Sequence, residues 1–398
     1  MPWAALRKAK VLDSAMEVFR NQQIQFEGKV TAEDKAALHG RFSELEAELN
    51  DYLSGDYGIK KSGVEKWKDS HKPFHWFCDF HRVMSSGGFD VIIGNPPYVE
   101  SAKIRSTYSP KGLSTADSGN LYGMVVEVAF KLLGSSSRLG VIIPMSVVST
   151  ARMESVRNLI LAASDIVLLS HYSGNRNPSV LFEGVEMRLT ICIAKAKSEL
   201  STPVGFQAFS TEFRRWASAA RAHLFATTTY VQVPSRFHSD SLFPKFGSEM
   251  EEKLLQKILD VSGSSTLRCA MISSGANNVY AHRIASYFVK ALTFIPRFSN
   301  ERDGAKRSED YKVFPFANRA EASAACCVIN SSLFYFYFIV FSDAYHCGRE
   351  LIEQFPVDIS HLSTALSSET RALEESLMRD LKKNSDIRKI EYKMGVFT

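Results

Sequence analysis

The stretch FDVIIGNPPYVE, residues 89–100, decides how this chain is read. Phe89 to Gly94 is a short apolar run closed by a glycine, the pattern of a buried strand. Asn95-Pro96-Pro97-Tyr98 follows at once, and two consecutive prolines fix φ and stiffen the turn. In open α/β sheets ligands gather at the carboxyl ends of strands, which is where such a turn emerges.

The same alternation continues on the carboxyl side. LYGMVVEVAFKLL (121–133) predicts a buried helix, LGVIIPMS (139–146) a strand and SVRNLILAA (155–163) a helix. IVLLSHY (166–172) and LTICIAKA (189–196) predict two more strands. Strand and helix alternating at this spacing imply an α/β layer on a largely parallel sheet. Upstream, RFSELEAELNDYL (41–53) sets Phe42, Leu45, Leu49 and Leu53 at helical spacing. Beyond about residue 200 the pattern loosens into short segments separated by Ser, Gly and Pro, and a polar helix ends the chain. The expected division is a helical lead-in or insert over 1–85, an α/β portion over 86–200, an α+β domain over 201–360 and a C-terminal helix over 361–398.

Composition bounds this reading. With 45% hydrophobic and 23% charged residues the chain is that of a folded protein, and its net charge of +5 leans towards a polyanionic partner without requiring one. The longest apolar run, Leu333 to Phe341, is too short to cross a bilayer, and MPWAALRKAKVLD has no signal-peptide core. Six cysteines show no CxxC pairing and read as reduced thiols, so a cytoplasmic location is expected. His71, His75, Cys78 and His81 recur near helical spacing, but Pro73 and four aromatics interrupt them, and no metal site is expected.

The rigid turn suits one chemical problem. An exocyclic amine on an aromatic ring is a poor nucleophile because its lone pair is delocalised. The Asn95 side-chain oxygen and the Pro96 carbonyl are two acceptors that would grip its N–H bonds and free the lone pair to attack a methyl sulfonium. Tyr98 offers a flat face to a base, and a base that has left the duplex needs such stacking to offset an unstacking cost of roughly a few kcal/mol. The bland alternative is a stiff turn after a strand.

These residues give the chain a resemblance to the TaqI-like adenine-N6 DNA methyltransferases of restriction–modification systems, from about Trp67 to Asp358. In that family Asn-Pro-Pro-Tyr is the catalytic loop, matched here by Asn95, Pro96, Pro97 and Tyr98. SGNLYGMVVEVAFKLL (118–133) resembles the helix that follows it, which implies that Asn120, Leu121 and Tyr122, with Asn95, contribute to binding S-adenosylmethionine. RLGVIIPMSVVST (138–150) is similar to the next strand, with Pro144 at its end. LFEGVEMRLTICI (181–193) is similar to the segment whose Phe packs on a flipped adenine, which makes Phe182 the stacking partner opposite Tyr98. INSSLFYFYFIVFSD (329–343) and FPVD (355–358) resemble the end of a target-recognition domain. The resemblance thus implies a Rossmann-like methyltransferase sheet, a C-terminal α+β recognition domain over 201–360 and double-stranded DNA as partner. From Val261 to Asn300 the basic residues are Arg268, Arg283, Lys290 and Arg297, with no acidic one, and these are the candidate DNA contacts.

One expected feature is missing. The family binds its methyl donor with a glycine-rich turn well before the catalytic loop, and LSGDYGIK (53–60), the nearest candidate, has no hydrophobic strand before it. The expectation is a truncated or split chain, weakly active alone, with a second chain supplying the donor-binding half and an exposed sheet edge left behind. Two alternatives stay open. One is a DNA-binding remnant without catalysis. The other is a protein glutamine methyltransferase, whose amide substrate poses the same problem to an Asn-Pro-Pro-Tyr loop. Phe182 and Tyr122 also have plain readings as core residues.

Overall fold

The computed structural model describes residues 32–106, 110–174, 180–182, 185–198, 206–237, 242–285, 287–300, 304–305, 308–386, 390–392 and 395–397. The calls on residues 1–31 and on the side chains of Phe42, Cys78 and His81 lie outside them. By contacts the chain forms two compact units. The first comprises Met1–Gly94, Val99–Gly140 and Lys195–Val204; the second comprises Asn95–Tyr98, Val141–Ala194 and Gly205–Thr398.

The first unit opens with helices α1 (Ala32–Asp56) and α2 (Val64–His71), then β1 (Phe89–Gly94) and α3 (Leu121–Leu132), which runs directly into β2 (Leu133–Pro144). The expected face of α1 holds: Leu45 and Leu49 are buried and Leu53 half-buried. Helix α3 is buried almost all round, through Tyr122, Met124, Val126, Glu127, Ala129 and Leu132. The chain enters β1 through Gly88, at φ 108, where a Cβ would come within 2.5 Å of the Leu132 carbonyl oxygen. Only glycine fits that approach.

In the second unit follow α4 (Glu154–Ala162), β3 (Ser164–Tyr172), β4 (Leu189–Ala196), β5 (Gln207–Arg214) and β6 (Val231–Val233). Hydrogen bonding orders the sheet β1-β2-β4-β3-β5-β6. β5 runs parallel to β3 and β6 antiparallel to β5, so the fold is mixed α/β. Among the described residues β1 is an edge strand. Its Val91 is 53% and its Ile93 82% exposed. β2 starts at Leu133, ahead of the apolar run at 139.

The rest of the second unit begins with α5 (Glu249–Ser262), whose Ser248 cap accepts from the Glu251 N–H. Then come β7 (Asn277–His282), β8 (Ala291–Leu292), β9 (Ser299–Asn300), β10 (Gly304–Ala305) and β11 (Tyr311–Phe316). β7 pairs antiparallel with both β11 and β8. Helix α6 (Arg319–Ile329) starts from an Asn318 cap, and the aromatic run becomes α7 (Ser332–Phe341), with Phe334, Tyr337, Phe338 and Val340 buried. Helices α8 (Ile359–Ala365) and α9 (Ser367–Asn384) follow, then β12 (Ile390–Tyr392) and β13 (Gly395–Phe397). The stretch read as one C-terminal helix therefore holds a helix break at Leu366 and a terminal strand pair. No single helix among the described residues is long and apolar enough to cross a membrane.

Candidate functional site

The Asn95–Tyr98 turn leaves the end of β1 as the sequence requires. Pro96 is buried, Asn95 and Pro97 are exposed and Tyr98 is half-buried. The Tyr98 hydroxyl shares its proton between the Asn95 Oδ1, at 2.5 Å, and the Ile142 carbonyl oxygen, at 2.7 Å. Ile142 lies on β2, so a rigid strand anchors the turn. Burial pushes the Tyr98 phenol up to about 12, which keeps it a donor.

The Tyr98 ring packs against a buried cluster of Tyr172, Leu181, Leu189, Trp216 and Leu224, with Ile142 and Ile191 beside it. Two arginines hold the loop carrying Leu224. Arg214 donates to the Leu224 carbonyl at 2.8 Å, and Arg221 donates to those of Val180 and Leu181 at 3.0 and 2.8 Å. At Gly174 a Cβ would lie 2.3 Å from the Met187 backbone, so only glycine permits this close approach. Leu181 thus joins Tyr98 in one cluster, while Phe182, the expected stacking partner, is 37% exposed. Phe225, 60% exposed, meets the Tyr172 ring edge-on at 5.9 Å between centroids. No motif marks Trp216, Leu224 or Phe225; they lie in an irregular segment without a period.

Asn120, Leu121 and Tyr122 belong to the first unit. Asn120 caps α3, accepting from the Tyr122 N–H at 3.3 Å, and its Nδ2 donates to Glu100 at 3.3 Å. Leu121 is half-buried and its N–H donates to the Val99 carbonyl at 2.9 Å; Tyr122 is fully buried. The preceding loop is tied to α3 by Glu127, which accepts from the Ser114 and Thr115 backbone and hydroxyl groups and pairs with Lys131 at 2.7 Å. Burial alone would raise the Glu127 carboxyl, but these hydrogen bonds outweigh it and bring it down to about 2.

Residues 23–177 match the Eco57I restriction-modification methylase family. A Methanocaldococcus jannaschii protein, provisionally named a type II restriction enzyme and methyltransferase, is 37% identical over 86 residues, which is 22% of this chain and 7% of that protein. The matched stretch therefore covers under a tenth of that relative's length. Solved structures are more distant. The type ISP restriction-modification enzyme LlaGI, in complex with a DNA substrate mimic, shares 9% identity over 52% of this chain and 22% of its own, with a TM-score of 0.34. The DrdV–DNA complex shares 12% over 52% and 23%, with a TM-score of 0.29. At such scores the structural likeness carries no argument.

The methylase-like segment includes β1 and the whole Asn95–Tyr98 turn. Its upstream part includes Leu53–Lys60, the nearest candidate for a donor-binding turn. Leu53–Lys60 is the closing turn of α1, with Gly58 at φ 72 and the Ile59 N–H returning to the Ser54 carbonyl at 2.9 Å. No described strand precedes β1. The strand–turn–helix that would cradle a nucleoside is thus not formed there. The described residues hold no cluster of three or more His, Cys, Asp or Glu fit for a metal; His75 instead meets Asn50 at 2.8 Å.

Of the candidate DNA contacts, Arg268 pairs with Glu353 and Arg283 with Asp310, each at 2.6 Å, while Lys290 and Arg297 are exposed.

Proposed function

We propose that this chain is the catalytic-loop part of an adenine-specific DNA methyltransferase of a restriction–modification system, acting on the N6 amine of a flipped adenine. A single observation carries the reading: an Asn-Pro-Pro-Tyr turn at the end of β1, inside the methylase-like segment, whose Tyr98 is seated on an apolar cluster and fixed to Asn95. The Asn95 Oδ1 has two lone pairs and only one is met by Tyr98, so it can accept a second hydrogen bond from a substrate amine. Pro96 supplies the other acceptor. Tyr98 stacks on the base, and Phe182 and Phe225 offer exposed aromatic faces in the same unit. S-adenosylmethionine, when bound, would supply an electrophilic methyl group.

The donor-binding half lies outside the described residues, on a second polypeptide or on a further segment of the same one, a reading supported by the exposed edge strand β1 with Val91 and Ile93. Nucleoside mass spectrometry tests the proposal. Wild-type chain, given S-adenosylmethionine, duplex DNA and any complementing polypeptide, should form N6-methyladenine, and Asn95→Ala should form none while binding DNA as before. Methylglutamine in protein, or an active Asn95→Ala enzyme, would sink it. Calorimetry with S-adenosylmethionine separates two cases: binding by the chain alone removes the need for a second polypeptide.

A further inference from the structure

Two arginines beside the Tyr98 cluster reach the C-terminal part of the second unit through aromatic rings. Arg188 directly precedes Leu189, the first residue of β4, and Arg215 directly precedes Trp216, just past the end of β5. Leu189 and Trp216 both belong to the cluster on which Tyr98 packs. The Arg188 guanidinium lies over the Tyr345 ring, 4.2 Å from its centroid. The Arg215 guanidinium lies 5.4 Å from the centroids of both Phe213 and Tyr287. Both arginines are half-buried, where a planar cation on an aromatic face gains more than it does in open solvent.

The backbone on either side of the Arg188 stack is fixed as well. The Arg188 carbonyl accepts from the Met145 N–H at 3.0 Å, which ties the start of β4 to the end of β2. On the other side, the Tyr345 N–H donates to the Asp343 Oδ1 at 3.0 Å, and its carbonyl accepts from the Ala285 N–H at 2.8 Å. Ala344, just before it, sits at φ 57, a left-handed conformation that a Cβ disfavours. Such a conformation persists only where the surroundings hold it, and Lys245 does so by donating to the Ser342 carbonyl. Burial lowers the Arg188 guanidinium from its ordinary value; Asp343 opposes the shift and Arg215 adds to it.

We propose that Arg188 and Arg215 are positioning residues for the base pocket. By stacking on Tyr345 and Tyr287 they hold the strand ends that carry Leu189 and Trp216, and with them the surface on which Tyr98 rests. Neither arginine touches the reacting atoms in this role. An arginine placed for its charge keeps its effect as lysine, whereas one placed for its flat face does not. The reaction they serve rests on the methyltransferase reading; the hold on the cluster does not.

Two measurements on the full chain test this. In the first, the tryptophans are replaced by 5-fluorotryptophan, and the Trp216 fluorine resonance is assigned with Trp216→Phe. Arg188→Lys and Arg215→Lys keep the charge and lose the flat face, so each should shift or broaden that resonance. Tyr345→Leu should do the same, and Tyr345→Phe, which keeps the ring, should restore it. Ile258→Val, a core change on α5 outside the cluster, should leave it in place. In the second, with any complementing polypeptide present, Arg188→Lys should lower kcat for N6-methyladenine formation roughly ten- to a hundredfold, with the KM for DNA little changed. Arg188→Lys combined with Tyr345→Leu should lose no more than either alone, because both act through one contact. A Trp216 resonance unmoved by both arginine variants would overturn the proposal. So would losses that multiply, or losses confined to KM, which would make Arg188 a direct DNA contact. A moved resonance with no N6-methyladenine from the wild type would sink the methyltransferase reading and leave the two stacks as supports of the cluster.

Discussion

The Tyr98 hydroxyl lies 2.5 Å from the Asn95 Oδ1, so the proposed amine-binding oxygen is already oriented before any base arrives. Replacing Tyr98 by Phe keeps the stacking ring and removes that orientation together with the bond to Ile142. Stability should fall by about 1 kcal/mol in denaturant unfolding. Methyl transfer should fall roughly tenfold, well short of the complete loss expected for Asn95→Ala. Transfer by Tyr98→Phe equal to wild type would show that the hydroxyl plays no part in setting Asn95.

Asn120 has two jobs that one substitution can separate. Its Oδ1 caps α3, and its Nδ2 reaches Glu100. Ser keeps a cap and Ala does not, so Asn120→Ala should cost about 1 kcal/mol and Asn120→Ser only a few tenths. If Asn120 also contacts the donor, both variants should weaken S-adenosylmethionine binding by the complete enzyme to a similar degree. Donor affinity that tracks stability alone would leave Asn120 as a cap.

What could be read from the chain, and what could not, follows from the range of the interactions. β1 has the expected residues but not the expected burial, since it lies at the edge of the sheet with Val91 and Ile93 exposed. β4 has the residues and the burial expected of it, because a buried strand writes its apolar run locally. The Asn95–Tyr98 turn was legible for the same reason: its stiffness is covalent. The cluster beneath Tyr98 was not, since Trp216 and Leu224 come from an irregular loop fixed by Arg214 and Arg221. Arg268 and Arg349 read as separate surface charges along the chain, and only the fold brings both onto Glu353. Asn120-Leu121-Tyr122 shows the limit of a motif, as a cap and a buried ring have plain structural uses too.

Ile93 is 82% exposed at the edge of the sheet, and few folded chains leave such a residue there without a partner. Ile93→Lys should change the chain's own stability by less than about 0.5 kcal/mol, because little burial is lost. It should abolish association with a complementing polypeptide, or reduce self-association where none is present, as read by sedimentation velocity. Unaltered association would remove β1 as the contact.

Glu127 ties the loop before α3 to that helix, and its carboxyl is held down at about 2. A depressed carboxyl stabilises the fold above the ordinary carboxylate range, and that contribution is lost as pH falls through the folded value. Urea unfolding between pH 5 and 2 should therefore show a loss of about 2 kcal/mol that Glu127→Gln lacks. The full linkage value is not expected, since the Lys131 side chain is 54% exposed and its share is screened.

Lys245 gives the opposite slope. Its side chain is 1% exposed, and the Nζ donates to the carbonyls of Val340, at 2.8 Å, and Ser342, at 2.6 Å, at the end of α7. Burial brings its amine down to about 7, with Asp343 opposing the shift. A base whose folded value is lowered favours the fold in its neutral form. Below about 7 the fold carries a buried ammonium, and that cost fades as pH rises towards the ordinary lysine value. A neutral amine still has two protons for the two carbonyls, so the bonds survive. Wild-type stability minus that of Lys245→Met should therefore rise with pH from about 7 upwards, by at most about 1.4 kcal/mol per unit. The subtraction removes the buried Cys192, Cys326 and Tyr337, which titrate at higher pH. A difference that stays flat from pH 6 to 10 would mean that Lys245 remains an ammonium, stabilised by Asp343 and the carbonyl end of α7.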